Sequence, residues 1–140
     1  MTKSNYRYID HPSDVVIEAS GKTLNEALAH AATAMFNYMC DLESIDGNLY
    51  REIFIDKLED PRELLYTFMD ECLYLYGSEY FIAKHITVNT FGNQLKTSLI
   101  GDIFDKDKHI PGREVKAITK HGISVEITDE LYTLMILVDI

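Results

Sequence analysis

Two carboxylates and an imidazole fall within five residues near the front of the chain, in Asp10-His11-Pro12-Ser13-Asp14. A further acid, Asp139, stands beside Ile140, where the sequence ends. Hard divalent cations take several oxygen ligands, from carboxylates and carbonyls held on rigid elements. Asp14 sits where a loop enters a strand pattern. Asp139 directly follows an apolar run, so its backbone is expected to be fixed. Ile140 adds its terminal carboxylate or its carbonyl one residue on. If the first and last strands are neighbours, Asp14, Asp139 and Ile140 meet as a candidate site for calcium, magnesium or manganese. Asp10 and His11 are then supporting groups beside it. The competing reading is that these acids are simply solvated, as acids at loop ends commonly are.

Other chemistry finds less support. Residues 101–109 gather charge, but they lack the central glycine and closing glutamate of an EF-hand calcium loop. A solvated loop is the expectation there. The chain has no phosphate-cradling glycine loop, no GxSxG and no HExxH, and no serine or cysteine has a recognisable base partner. Cys40 and Cys72 lie in helix-like apolar patterns without a close partner, which predicts buried, reduced thiols.

The elements that must position the acids can be read from spacing. Tyr6-Arg7-Tyr8-Ile9 and residues 15–20 read as strands, linked through Pro12, which fixes φ and removes a ladder donor. Thr23-Leu24-Asn25-Glu26 is a capping box. Leu24, Ala27, Leu28, Ala31, Met35, Phe36 and Met39 make one helical stripe that ends near Tyr38 to Cys40. Asp46-Gly47-Asn48 marks a turn. Residues 50–58 read as a strand whose faces are not cleanly separated, so it is expected to be covered on both sides. Asp60 and Pro61 start a second helix, with Leu64, Leu65, Phe68, Met69, Cys72, Leu73 and Tyr76 on its buried stripe and Gly77 as its C-cap. Tyr74, Tyr76, Tyr80 and Phe81 cluster at its end, as core margin or as part of a partner surface.

Strands follow at 84–90 and 95–104, joined by the hairpin turn Phe91-Gly92-Asn93-Gln94, with Gly101 a bulge or bend. Val115, Ala117 and Ile118 define another strand, Lys120-His121-Gly122 a turn, and Ile123, Val125 and Ile127 a further strand. After a turn at Thr128-Asp129-Glu130 comes the apolar run 131–138. It is expected to be central and covered on both faces. The class is α+β: two amphipathic helices packed on a mostly antiparallel sheet, in one domain over 1–140.

The 140 residues suit one ordinary domain, and 46% hydrophobic content suits a globular core. No apolar run approaches the roughly 18 residues needed to span a bilayer, and no signal-like apolar region follows Met1. A cytoplasmic protein is expected. With 23 acidic against 13 basic residues the net charge is -10. Such a chain repels a phosphate backbone, so direct tight nucleic-acid binding is not expected; a cation or a basic partner is compatible.

Several stretches resemble the archease family. Tyr8-Ile9-Asp10-His11-Pro12-Ser13-Asp14-Val15 is similar to its opening Asp-His-Thr-Ala-Asp-Val motif, with Pro12 and Ser13 in place of Thr and Ala. Ala34-Met35-Phe36-Asn37-Tyr38-Met39 resembles the end of its first helix. Leu64-Leu65-Tyr66-Thr67-Phe68-Met69-Asp70-Glu71-Cys72-Leu73-Tyr74 resembles its second, with Cys72 where tryptophan is common. Glu114-Val115-Lys116-Ala117-Ile118-Thr119 matches its Val-Lys-Ala-Ile-Thr strand, and the chain closes on Val138-Asp139-Ile140. The resemblance implies a non-catalytic cofactor of an RtcB-type RNA ligase, which acts in tRNA splicing and RNA repair by promoting ligase guanylylation and multiple turnover. It implies Asp14, Asp139 and Ile140 as metal ligands, the last through main-chain oxygens, with Lys116 near them. The residues taken alone also leave open a stand-alone metal-dependent phosphoesterase or a chaperone-like scaffolding module.

Overall fold

The structure is a computed structural model that describes residues 5–140. Seven strands and two long helices follow one another as β1 (Tyr6–His11), β2 (Asp14–Gly21), α1 (Leu24–Met39), β3 (Leu49–Asp56), α2 (Pro61–Glu79), β4 (Phe81–Phe91), β5 (Gln94–Ile103), β6 (Ala117–Thr128) and β7 (Leu131–Asp139). A short 3-10 turn at Leu42–Ser44 follows α1. All pairing is antiparallel, but it makes two sheets: one of order β1-β2-β7-β6 and one of order β3-β5-β4.

The helices form where the caps place them. The Thr23 hydroxyl accepts the Glu26 N–H at 3.1 Å, and the Glu26 carboxylate reaches back to the Lys22 N–H at 2.9 Å. Asp60 caps α2 through the Arg62 N–H, with Pro61 as the first helical residue. Gly77 does not end α2. The helix runs two residues further, and Tyr80 caps it with a left-handed backbone, φ 62°, while its N–H is held by the Leu75 and Tyr76 carbonyls. The Tyr80 ring lies edge-on to Tyr76 with centroids 5.6 Å apart.

Helix α1 contacts both sheets, through β2 and β7 on one side and β4 on the other, and α2 contacts β6, β4 and β3. Nine residues of α1 are buried, including Ala27, Ala31 and Ala34, whose small side chains allow that close approach. One core cluster therefore joins Val15, Ile17 and Ala19 of β2, Leu134, Ile136 and Val138 of β7, both helices, and Leu95 and Leu99 of β5. Each fully buried aliphatic side chain contributes roughly 1.5–3 kcal/mol.

Several strand expectations change. β7 is an interior strand, but only Leu134, Ile136 and Val138 are buried; its other face is uncovered and partly exposed. Likewise Ile53 and Ile55 of β3 are buried, while Glu52, Phe54 and Asp56 are exposed, so β3 is a one-faced edge strand. Residues 117–128 form one strand. Thr119 pairs with Leu137 and Ser124 with Met135, so residues 120–123 bulge opposite Ile136 alone, with Gly122 at φ 72°. Both halves pair with the same strand, so the chain has no need to reverse at Lys120-His121-Gly122. The irregularity near Gly101 lies on the facing strand, between Ala83 and His85. Gly101 is required because a Cβ there would collide with the Ile82 carbonyl oxygen.

Candidate metal centre

Strands β1 and β2 form a hairpin in which His11 faces Asp14 across the two-residue turn Pro12-Ser13. Proline followed by a left-handed residue, here Ser13 at φ 65°, is the pattern of a type II turn. The turn brings the chain back so that β2 begins on Asp14 itself. The neighbour of β2 on its other side is β7, and the register sets Asp14 directly against Asp139. The next residue along, Ile140, points its N–H at the Ser13 carbonyl at 3.4 Å. A bond from the residue after one partner to the residue before the other identifies Asp14 and Asp139 as a non-hydrogen-bonded pair. In such a pair the Cα atoms come closest, about 4.5 Å apart, and the side chains lie on one face.

The row continues on both sides. His11 Nδ1 lies 3.5 Å from Asp14 Oδ2. Beyond Asp139 the register places Ala117 of β6. The Lys116 N–H donates to the Asp139 carbonyl at 2.7 Å, which fixes the backbone on which the second carboxylate is mounted. Asp14 is partly shielded, its side chain 21% exposed, whereas Asp139 and Lys116 are exposed. Asp10 is not brought in: it pairs with Val15, whose side chain belongs to the core face, so its register position is on the opposite side of the sheet from Asp14. Sequence reading did not single out Ser13 and Ala117, because their place at the corner follows from strand order and from the bulge in β6.

Among the described residues no group of three His, Cys, Asp or Glu side chains converges for a metal. The candidate donors at this corner are the two facing carboxylates, with the main chain of Ile140 one residue further on. The donor set is all oxygen and carries negative charge, which fits a hard divalent cation and not zinc held by thiolates and imidazoles. Two acids directly opposite on adjacent strands repel each other. A cation between them would remove that repulsion.

The charge-rich stretch from the end of β5 onward has a different role. Asp102 is buried, and its carboxylate accepts the N–H groups of Asp46, Gly47 and Asn48 at 2.9, 3.0 and 2.9 Å. Burial pushes the acid up, but the three backbone bonds outweigh it and hold Asp102 below its ordinary value. His109 is also buried. Its Nδ1 accepts the Asp105 N–H at 2.9 Å, so its proton sits on Nε2, 3.9 Å from the Asp102 carboxylate. These two residues tie the turn after α1 to the loop after β5 and are structural, contrary to the expectation of a solvated loop. Cys40 and Cys72 are both buried and free, and burial pushes each thiol up.

The same corner occurs in a chain with close relatives. Residues 6–140 match the family described as the Archease protein family. The archease of Pyrobaculum islandicum is 36% identical over 141 aligned positions, covering 97% of this chain and 95% of the relative. An archease-like protein of Dictyostelium discoideum is 31% identical, covering 97% and 93%. The solution structure of a Methanobacterium thermoautotrophicum protein superposes with a TM-score of 0.82 at 26% identity, over 99% of this chain and 100% of that one. The crystal structure of a Thermotoga maritima archease, described as a possible chaperone, gives a TM-score of 0.68 at 21% identity over 94% of each chain and shares the fold. No helix among the described residues is long and apolar enough to cross a membrane. With a match that runs from the first strand through the paired aspartates to Ile140, this chain belongs to the archease family.

Proposed function

We propose that this protein is the non-catalytic activator of an RtcB-type RNA ligase in tRNA splicing and RNA repair. In this role it promotes formation of the ligase–GMP intermediate and repeated turnover. The observation that carries the reading is the direct pairing of Asp14 with Asp139 in a member of the archease family. Asp14, Asp139 and the Ile140 main-chain oxygens would hold a divalent ion, calcium, magnesium or manganese. When bound, that ion supplies positive charge that can be shared with nucleotide phosphates.

The chain's own residues do the positioning. β2 and β7 are interior strands, so the two carboxylates stand on a backbone locked by ladders on both sides. The Lys116 N–H holds the Asp139 main chain, and His11 stands beside Asp14. Calcium takes six to eight oxygens and magnesium six, more than this open corner provides. An incomplete shell at an exposed corner suits a site completed by a partner, and the net charge of -10 suits a partner with a basic entrance. The Lys116 ammonium adds a flexible point charge for a carboxylate or phosphate.

The experiment is ligase guanylylation with the cognate ligase, comparing wild type with Asp14→Ala and Asp139→Ala. Both variants are expected to fold and to lose stimulation. Full stimulation by both folded variants overturns the reading.

A further inference from the structure

Among the described residues, no layer covers the outer face of the β3-β5-β4 sheet. The register arranges its outward residues in four rows: Tyr50, Ile100 and His85; Glu52, Ser98 and Thr87; Phe54, Lys96 and Asn89; Asp56, Gln94 and Phe91. Four large apolar side chains stand open there, with Phe91 62%, Tyr50 49%, Phe54 47% and Ile100 39% exposed. Phe54 and Phe91 meet edge to face with centroids 6.0 Å apart, so the two rings present one joint surface.

The polar groups that β3 and β5 place on this face are partnered with one another, while His85, Thr87 and Asn89 of the β4 edge face solvent. Lys96 Nζ lies 3.2 Å from Glu52 Oε1, and the Tyr50 hydroxyl donates to the same carboxylate at 2.7 Å. These two contacts hold the Glu52 carboxyl below its ordinary value. The Gln94 amide donates to Asp56 at 3.1 Å, and Ser98 Oγ stands 3.1 Å from the Tyr50 hydroxyl. Desolvating the β3 and β5 part of this face strands few polar groups, and the β4 edge can stay at the wet rim. A chain of net charge -10 repels its own copies in general, but this face sets Lys96 among its acids and is close to charge balance. A basic partner would gain little here and would be drawn to the acidic remainder of the surface.

We propose that this face associates with the same face of a second copy of the chain, packing sheet on sheet about 10 Å apart with Phe54 and Phe91 at the contact. Three strands about 4.8 Å apart and four outward rows make a face roughly 15 by 25 Å. Closing it against a copy buries on the order of 1,000 Å² in total, at the lower end of specific interfaces. The dimer is therefore weak and concentration-dependent. Because the helices lie between the two sheets, it leaves the Asp14–Asp139 corner free, and it is independent of the ligase reading.

The test is sedimentation equilibrium on the full chain from about 10 µM to about 1 mM, in about 50 and about 500 mM NaCl. The apparent mass is expected to rise from one chain toward two, with association strengthened by salt as the general repulsion is screened. Phe54→Glu and Phe91→Glu, each on an exposed position and each checked for an unchanged circular dichroism spectrum, are expected to remain monomeric throughout. A wild type that is monomeric at the highest concentration overturns the proposal. So does association that weakens with salt, or a dimer that persists in both folded variants.

Discussion

The facing aspartates make a prediction in which stability and cation response move in opposite directions. As a non-hydrogen-bonded pair on one face, Asp14 and Asp139 place their carboxylates roughly 5–6 Å apart. At an effective dielectric constant of about 40 for a half-exposed pair, two like charges at that distance repel by about 1.4–1.7 kcal/mol. Solvent screening at the exposed Asp139 reduces this to about 0.5–1 kcal/mol. Asp139→Asn keeps the shape and removes the repulsion. With chelator present, the variant should therefore be more stable than wild type by about 0.5–1 kcal/mol, read as a higher urea midpoint at unchanged m-value. Titrating calcium, magnesium or manganese should reverse the order. Wild type gains about 2.7 kcal/mol when free cation reaches one hundred times its dissociation constant, and the variant gains little. A variant less stable than wild type in chelator would show that Asp139 is a structural acid. Equal cation-induced stabilisation of both proteins would show that the ion sits elsewhere. Either result refutes the paired-carboxylate site without any measurement of ligase activity.

Asp102→Ala orphans three backbone N–H groups and should cost about 3 kcal/mol in urea unfolding; a loss below about 1 kcal/mol would show that the turn at 46–48 holds without it. Because the folded state holds Asp102 below the ordinary 3.8, its contribution is fully present above that value and is lost as pH falls through the lower folded value. Wild type should therefore lose stability below about pH 4 more steeply than Asp102→Ala, as read from melting curves on both sides of that pH. Thr97 is fully buried in β5, and its hydroxyl is the one buried side-chain polar atom without a partner among the described residues. Thr97→Val keeps the shape and should stabilise by about 1 kcal/mol; a lower midpoint in urea would mean that the hydroxyl has an unrecognised partner.

How much of this was legible in the sequence depended on the range of the interaction that fixes each feature. α1 and the start of α2 followed from caps and three-four spacing, which are local, and the structure reproduces them. The end of α2 did not, because Gly77 carried the stronger propensity signal, whereas the helix continues through it to Glu79 and stops on Tyr80 in the left-handed conformation. The strand faces were misjudged for the same physical reason. Apolar content in β3 and β7 suggested cover on both sides, but β3 is an edge strand, and the uncovered face of β2 and β7 buries Val16 to 9% exposure outside the main core. Asp102 and His109 looked like loop charges because their partners lie more than fifty residues away for one, and depend on a turn for the other.

The acid corner is an intermediate case. The strand pattern put Asp14 at a strand entrance and Asp139 at a strand end, but period-two alternation alone does not say which face each occupies or which strands adjoin. That required the pairing of β2 with β7 in place of β1 with β7, while the β1–β2 register puts Asp10 on the other side of the sheet. A register slip of one residue would send Asp14 or Asp139 into the core and bring Val15 or Val138 to the surface. Those two valines are 1% and 0% exposed, so the hydrophobic core enforces the juxtaposition of two charges that repel. The core thus holds in place a pair that is unfavourable on its own. That is the expected arrangement where a site has to be preorganised for a positive ligand.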